Sequence, residues 1–370
     1  MASVWMGAWR PEQALPAAFV ELPQQVYAEH PAWLGEDPQA LARQFSPANP
    51  WFASGQAWLG VEPGLARLAG FFNGQVVDGE TVAFFGFWET LEDPAANQRL
   101  FQGLRDWAHG LGATRLYGPI NFTTFGNYRL RLDQFEAGCF AGEPFNPPYY
   151  PGLLEGLGLD LRHRYLSTFN QTGQIAASVG PDYMRVRPEL QRLVSLEPLD
   201  GAFWMAHLDE LYPFVDQVFG ANFAYTPLSR QAFEQQCGQG LADRLCPHSS
   251  VLARAKDGRI AGFFLAYPDY GPLLRRDSPQ QVSANSLSHA AHYPLLPTPR
   301  QLLAKTGGVH PDFRQHGLFT AMGSEVVLRA APHYQRIVGA MVREDNNSRQ
   351  FALRHSGGDL HHYGLYGGSL

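Results

Sequence analysis

Val309-His310-Pro311-Asp312-Phe313-Arg314-Gln315-His316-Gly317-Leu318-Phe319-Thr320-Ala321-Met322 reads as the end of a strand, a donor-rich loop and the first turn of a helix. Upstream, residues 302–309 carry a strand-like apolar pattern. Downstream, residues 320–331 place Met322, Val326 and Leu328 at helical spacing. A helix start leaves its first N–H groups without partners, and the helix dipole adds positive potential there. A phosphate is therefore favoured at that point. Arg314 lies in the loop, and Gly317 lets a bulky diphosphate approach the main chain with no Cβ in the way. An ordinary strand-to-helix turn is the alternative reading of the same residues.

The next segment narrows the choice. Residues 336–342 form a compact apolar strand, followed by Arg343-Glu344-Asp345-Asn346-Asn347-Ser348. From Asn346 a helix is expected to reach His355, with Phe351 and Leu353 as apolar positions and Gly357-Gly358 as its stop. Asn346 is a good N-cap in its own right. A last strand spans residues 362–366.

The order strand, loop, helix, strand, capped helix, strand resembles the GNAT acyltransferases, and Arg314-x-x-Gly317 resembles their acyl-CoA pyrophosphate loop. In that family the loop reads Gln or Arg, two residues, Gly, one residue, then Gly or Ala. Phe319 holds the last position here and departs from the pattern. Asn346, followed eleven positions later by Gly357, resembles the start of the helix that flanks the pantetheine arm. The resemblance implies acyl-CoA (acetyl-CoA or longer) as co-substrate. It implies that Gly308, Val309, Arg314, Gln315, His316, Gly317, Leu318, Phe319, Thr320 and Asn346 hold it.

At 370 residues the chain exceeds the size at which one core keeps growing, so two domains are expected. The 13% aromatic share supplies apolar surface for two cores. A net charge of −6 argues against general attraction to nucleic acid. Three cysteines, Cys139, Cys237 and Cys246, are too few for a disulfide framework. Residues 1–10 lack a basic segment followed by a long apolar core, and no run is long enough to span a bilayer. No membrane partner and a cytoplasmic location are the expectations.

The first half repeats the order of the second. Residues 56–61, 65–73 and 82–88 read as strands, a helix comes next at about 95–111, and a strand at 114–117 ends in Gly118-Pro119. Asn146-Pro147-Pro148-Tyr149-Tyr150-Pro151 introduces a short helix, and residues 162–170 a closing strand. The whole chain thus resembles a tandem GNAT arrangement, close to a bacterial group carrying Gly-Pro-x-Asn-Phe and Asn-Pro-Pro-Tyr-Tyr. These stand here as Gly118-Pro119-Ile120-Asn121-Phe122 and residues 146–150. Between Phe87 and Asn97 there is no glycine, and Glu89, Glu92 and Asp93 fall where a pyrophosphate would sit, where like charge repels it. The first domain is therefore read as a degenerate copy that does not bind CoA.

The expected fold is α/β (α+β), with two GNAT-like domains at 1–175 and 176–370. Each is a mixed twisted sheet flanked by helices. Residues 171–200 read as the connection, with Tyr183 to Val194 as a stretch open to partial order, and 268–299, rich in Pro and Ser, as a disordered loop or a lid over the site.

Acyl transfer to an amine needs a base for the amine proton, donors for the oxyanion and an acid for the leaving thiolate. The residues before the loop are expected to position the thioester, with a bulge at Gly307-Gly308. His310 is a candidate base or a surface histidine. Asp345, with Glu344, acts through water or only favours the helix start. Relative to the family, the usual Tyr after Asn346 is replaced by Leu353. Tyr366 and Tyr363 are the candidate acids or packed aromatics. Cys237, Cys246 and His248 lack a fourth ligand, so no metal is expected.

The expected activity is transfer of an acyl group from acyl-CoA, or from the pantetheine of an acyl carrier protein, to a small-molecule amine. Two alternatives on the same fold remain. One is a transferase that draws on aminoacyl-tRNA, against which the acidic balance counts. The other is a non-catalytic ligand-binding protein. The oligomeric state is left open.

Overall fold

The computed structural model describes residues 3–280, 282–346 and 348–370. Its contacts divide the chain into two compact units: Met1–Arg164 with Phe223–Ala232 and Tyr363–Leu370, and Tyr165–Asn222 with Phe233–His362.

The first unit runs β1 (Trp5–Trp9), α1 (Ala17–Val26), α2 (Pro38–Gln44), β2 (Gln56–Glu62), β3 (Ala66–Phe72), β4 (Val76–Val77) and β5 (Glu80–Thr90). It continues with α3 (Pro94–Gly110), β6 (Arg115–Gly118), β7 (Leu130–Arg131) and α4 (Tyr150–Gly156). β8 (Asp160–Gln171) passes into the second unit at Tyr165. After it lie α5 (Thr172–Leu193), β9 (Val194–Pro198), α6 (Gly201–Ala206), α7 (Leu208–Phe219), α8 (Arg230–Cys237) and α9 (Gln239–Ala242). Then come β10 (Val251–Ala255), β11 (Ile260–Pro268), α10 (Gly271–Leu274), α11 (His289–His292) and β12 (Gln301–Val309). The second unit ends with α12 (Leu318–Ala330), β13 (Arg336–Arg343) and α13 (Ser348–Arg354). β14 (Leu360–Ser369) belongs to the first unit from Tyr363 onward.

The strands of the two units run in the same order. In the first unit it is β1-β2-β3-β5-β6-β14, antiparallel except for the parallel pair β5–β6. In the second it is β9-β10-β11-β12-β13-β8, antiparallel except for the parallel pair β12–β13. The parallel pair requires a crossover helix, α3 in one unit and α12 in the other. Leu100, Leu104 and Phe101 of α3 pack with Phe85 and Leu116. Met322 and Val326 of α12 pack with Val251, Phe264 and Ile337.

The closing strands differ from the expectation of a boundary at 175. The sequence order puts residues 162–170 at the close of the first sheet and 362–366 at the close of the second. Instead β8 pairs with β13 (Thr168 opposite Gly339), and β14 pairs with β6 (Tyr366 opposite Gly118). A glycine of β14 makes this close approach possible: a Cβ on Gly367 would lie 2.3 Å from the Tyr117 ring.

Two further expectations are corrected. Residues 172–193 are a helix, not a connection. Gly173, Gly180 and Pro181 read as marks of a connection, yet Ile175, Val179, Tyr183 and Leu190 are buried in the second core. The segment 268–299 carries its own cluster of Tyr270, Leu273, Leu287 and Leu296. It leads into the start of β12, while the phosphate loop leaves the other end of that strand, so it is not a lid over the site.

Candidate functional site

β12 and β13 pair from Gln301 opposite Arg336 to Ala304 opposite Gly339, and then part. Being parallel, they send both C-terminal ends to the same edge. There β12 enters the phosphate loop and β13 enters the Asp345-Asn346 turn. Two bulges mark the parting. On β12, Leu265 faces Thr306 and Ala266 faces Ala304, so Lys305 is the extra residue. On β13, Gly339 faces Thr168 and Val342 faces Leu166, so Ala340 and Met341 share one partner position. Met341 adopts a φ of 55°. A bulge bends its strand out of the ladder, and one on each side opens a V. The bulge lies at Lys305 and not at Gly307-Gly308. Those glycines serve packing: a Cβ on Gly307 would lie 2.8 Å from Phe319, and one on Gly308 2.6 Å from Val218.

Past Val309 the chain makes a 3-10 turn, Pro311–His316, and Gly317 takes the left-handed conformation at φ 67°. No atom lies within 4 Å of where its Cβ would be. α12 then begins with no side-chain cap and no acidic residue in its first turn. Leu318 is buried in the core, while Gln315, His316 and Thr320 are exposed. Helix geometry leaves the first N–H groups of such a start without intrahelical acceptors. The open space at Gly317 and the uncapped helix start together fit a diphosphate.

Individual side chains behave differently from a simple motif reading. The Arg314 guanidinium donates to the carbonyls of Val309 (3.3 Å) and Val218 (3.0 Å), strapping the loop to the end of β12 and of α7. Phe319 turns onto Phe264 and Phe351, with ring centres at 5.4 and 6.4 Å, and fills the space over Gly307. Its bulk is spent in the core. Asn346 accepts the Ser348 N–H at 3.0 Å and so caps α13. Asn347, in the same expected cap, lies outside the described residues.

Among the catalytic candidates, His310 accepts the Asp312 N–H on Nδ1 at 3.2 Å. The same nitrogen lies 3.5 Å from Asp312 Oδ2, so the printed contacts of the ring are to its own turn. Asp345 is held by Arg343. Glu344, its partly buried neighbour, makes no hydrogen bond or ion pair among the described residues. Tyr366 does not join this group. It is 1% exposed in the core of the first unit, and burial, helped by Glu155, pushes its pKa up to about 12. The hydroxyl of Tyr363 is likewise engaged, by Glu143 in the same unit.

The first unit treats the equivalent places differently. β5 and β6 pair as far as Phe84 opposite Tyr117. Beyond that the Ile120 N–H reaches the Phe85 carbonyl at 2.7 Å, and Asn121 Oδ1 accepts the Phe87 N–H at 2.8 Å. Gly118 to Phe122 therefore laces shut the gap that stays open in the second unit. Asp93 accepts the Ala96 N–H at 2.8 Å and caps α3. The helix start that is left open to an anion in one unit is closed by a carboxylate in the other.

No protein-family model and no curated protein sequence matches the chain. Solved structures do. A tandem GNAT protein from the clavulanic acid biosynthesis pathway matches 99% of this chain and 98% of its own, at 13% identity and a TM-score of 0.52. A probable N-acyltransferase from Enterococcus faecalis V583 matches 99% of this chain and 72% of its own, at 6% identity and a TM-score of 0.55. A GCN5-related N-acetyltransferase from Kribbella flavida matches 99% and 71%, at 8% identity and a TM-score of 0.50. At such identities the likeness is one of architecture: the chain has the tandem GNAT fold.

Proposed function

We propose that the protein is an N-acyltransferase that takes an acyl group from acyl-CoA, or from a pantetheine-linked carrier, and gives it to the amine of a small molecule. One observation carries the reading: an open V between parallel strands ends at an uncapped helix start beside the open face of Gly317. The diphosphate would rest on the first amides of α12, and the pantetheine arm would lie along the unpaired edge of β12. Glu344, uncommitted at the end of β13, would take the amine proton through water. Holding thioester and amine together supplies the main acceleration in such a transfer. Because His310 and Asp345 are already bonded, donor binding without turnover is the competing reading.

Acetyl-CoA or a longer acyl-CoA should raise the melting temperature. A ligand that binds only the native state stabilises by about 2.7 kcal/mol at a hundred times its Kd. Gly317→Val should abolish that shift, because a branched side chain fills the cradle and strains φ 67°. Gly317→Asn, which tolerates this φ, separates strain from blockage. A wild-type protein indifferent to every acyl-CoA tested would end the proposal. Release of free CoA with an amine panel would distinguish turnover from binding.

A further inference from the structure

We infer that Phe219, the last residue of α7, is a specificity-determining residue that stops the acyl group of the donor, so that the protein takes short acyl-CoA thioesters. The inference rests on the donor-binding reading above and narrows its substrate class. Successive residues of a strand point to opposite faces of the sheet. Beyond the bulge of β12 those faces are marked by Gly307 and Gly308. Phe319 of α12 packs over Gly307, and Val218 and Phe219 of α7 pack over Gly308. β11 repeats the division. Phe264 meets Phe319 with ring centres 5.4 Å apart, and Phe263 meets Phe219 at 6.3 Å. At this end of the sheet α12 covers one face and α7 the other.

A donor whose diphosphate rests on the first amides of α12 starts on the α12 face. Its arm passes between β12 and β13 beyond Ala304 and Gly339, where their pairing stops. The thioester then emerges on the α7 face, and the acyl chain runs on over Gly308. That ground is taken. Val218 Cγ1 lies 2.6 Å and Phe219 Cζ 3.2 Å from the Cβ position of Gly308, so both pack directly on its bare main chain. Val218 is buried, whereas Phe219 is only half-buried and borders open space. The end of α7 is also pinned, because the Val218 carbonyl accepts from Arg314 at 3.0 Å. An acetyl group ends before the Phe219 ring. A long chain has to displace it, and forcing extra methylenes into a packed place is unfavourable. Turning to the other face gives no relief, since Phe319 fills the space over Gly307.

Acetyl-, butanoyl- and octanoyl-CoA, titrated calorimetrically into the full chain, give the test. The wild type should bind octanoyl-CoA about tenfold more weakly than acetyl-CoA, the equivalent of about 1.4 kcal/mol. Phe219→Ala should reverse that order and leave acetyl-CoA unchanged, because each methylene that gains an apolar seat tightens binding about fourfold. Phe319→Ala, on the opposite face, should keep the wild-type preference. A wild type that holds octanoyl-CoA as tightly as acetyl-CoA would overturn the inference and leave the donor site in place. So would a Phe219→Ala variant with the wild-type preference, or a reversal seen in Phe319→Ala instead. If Phe219→Ala fails to fold, Phe219→Leu remains: the smaller side chain should raise butanoyl-CoA relative to acetyl-CoA, and an unchanged ratio would overturn the inference. A wild-type protein that binds none of the three would overturn the functional reading and this inference with it.

Discussion

Glu89 shows how a residue placed at a family's phosphate position can acquire another character. Arg67 lies opposite it across β3 and β5, but its guanidinium is taken by Glu36 at 2.8 and 2.9 Å. Two carboxyls thus share one cation. The hydroxyls of Tyr27 (2.6 Å) and Tyr150 (2.8 Å) both reach Glu89 Oε2. Tyr27 also lies 3.1 Å from the Phe145 carbonyl, yet it has one proton for two acceptors. If Glu89 carries a proton and donates it to Tyr27, each acceptor is satisfied. Burial pushes the Glu89 pKa up to about 7, against the opposing pull of Arg67. A carboxyl whose pKa is raised on folding stabilises fully below its unfolded value, and that stability is lost as pH rises through 7. Between about pH 4.5 and 8 the wild type should therefore lose roughly 3 kcal/mol more than Glu89→Gln in denaturant unfolding. Parallel pH profiles for the two proteins would mean that Glu89 is ionised throughout.

At the scale of elements, the contrast between the two parallel strand pairs is decided by the segment that leaves the second strand. After β6, Gly118 to Phe122 returns into the gap, and Phe122 packs on Phe71 with ring centres 4.4 Å apart. After β13 the chain turns away into α13. Asn121→Ala would leave the Phe87 amide without its acceptor inside a 6% exposed residue, a loss of about 1–3 kcal/mol. Asn121→Asp, which keeps the oxygen, should recover most of it. A denaturant midpoint for Asn121→Ala equal to wild type would show that the segment is not a stitch. The sequence made the apolar periodicity of α3 and α12 legible, because Leu100, Leu104, Met322 and Val326 repeat at helical spacing. It made the loop legible through Gly317. The bulges at Lys305 and Met341 had no local signal: Gly307-Gly308 drew the expectation. Asn121 was visible as part of a motif, but its hydrogen bond to Phe87 spans 34 positions.

For the whole molecule, the exchange of closing strands is what periodicity could not reveal. Alternation tells which face of a strand is buried, not which sheet it joins. The consequence is that a residue near the C-terminus belongs energetically to the first unit. Tyr366, packed with Trp88, Leu116 and Leu159, is the sharpest case. Tyr366→Ala removes a fully buried ring, at a cost of about 3–5 kcal/mol for a large aromatic. Hydrogen exchange should then speed up in Arg115–Gly118, the backbone partners of β14, while Gln301–Ala304 and Arg336–Gly339 keep their protection. Tyr366→Phe should leave acetyl-CoA binding and any turnover unchanged, since the hydroxyl stands in a packed core. Were Tyr366 instead an acid for the leaving thiolate, the phenylalanine variant would lose turnover with its stability intact, and the faster exchange in the alanine variant would fall along β12 and β13.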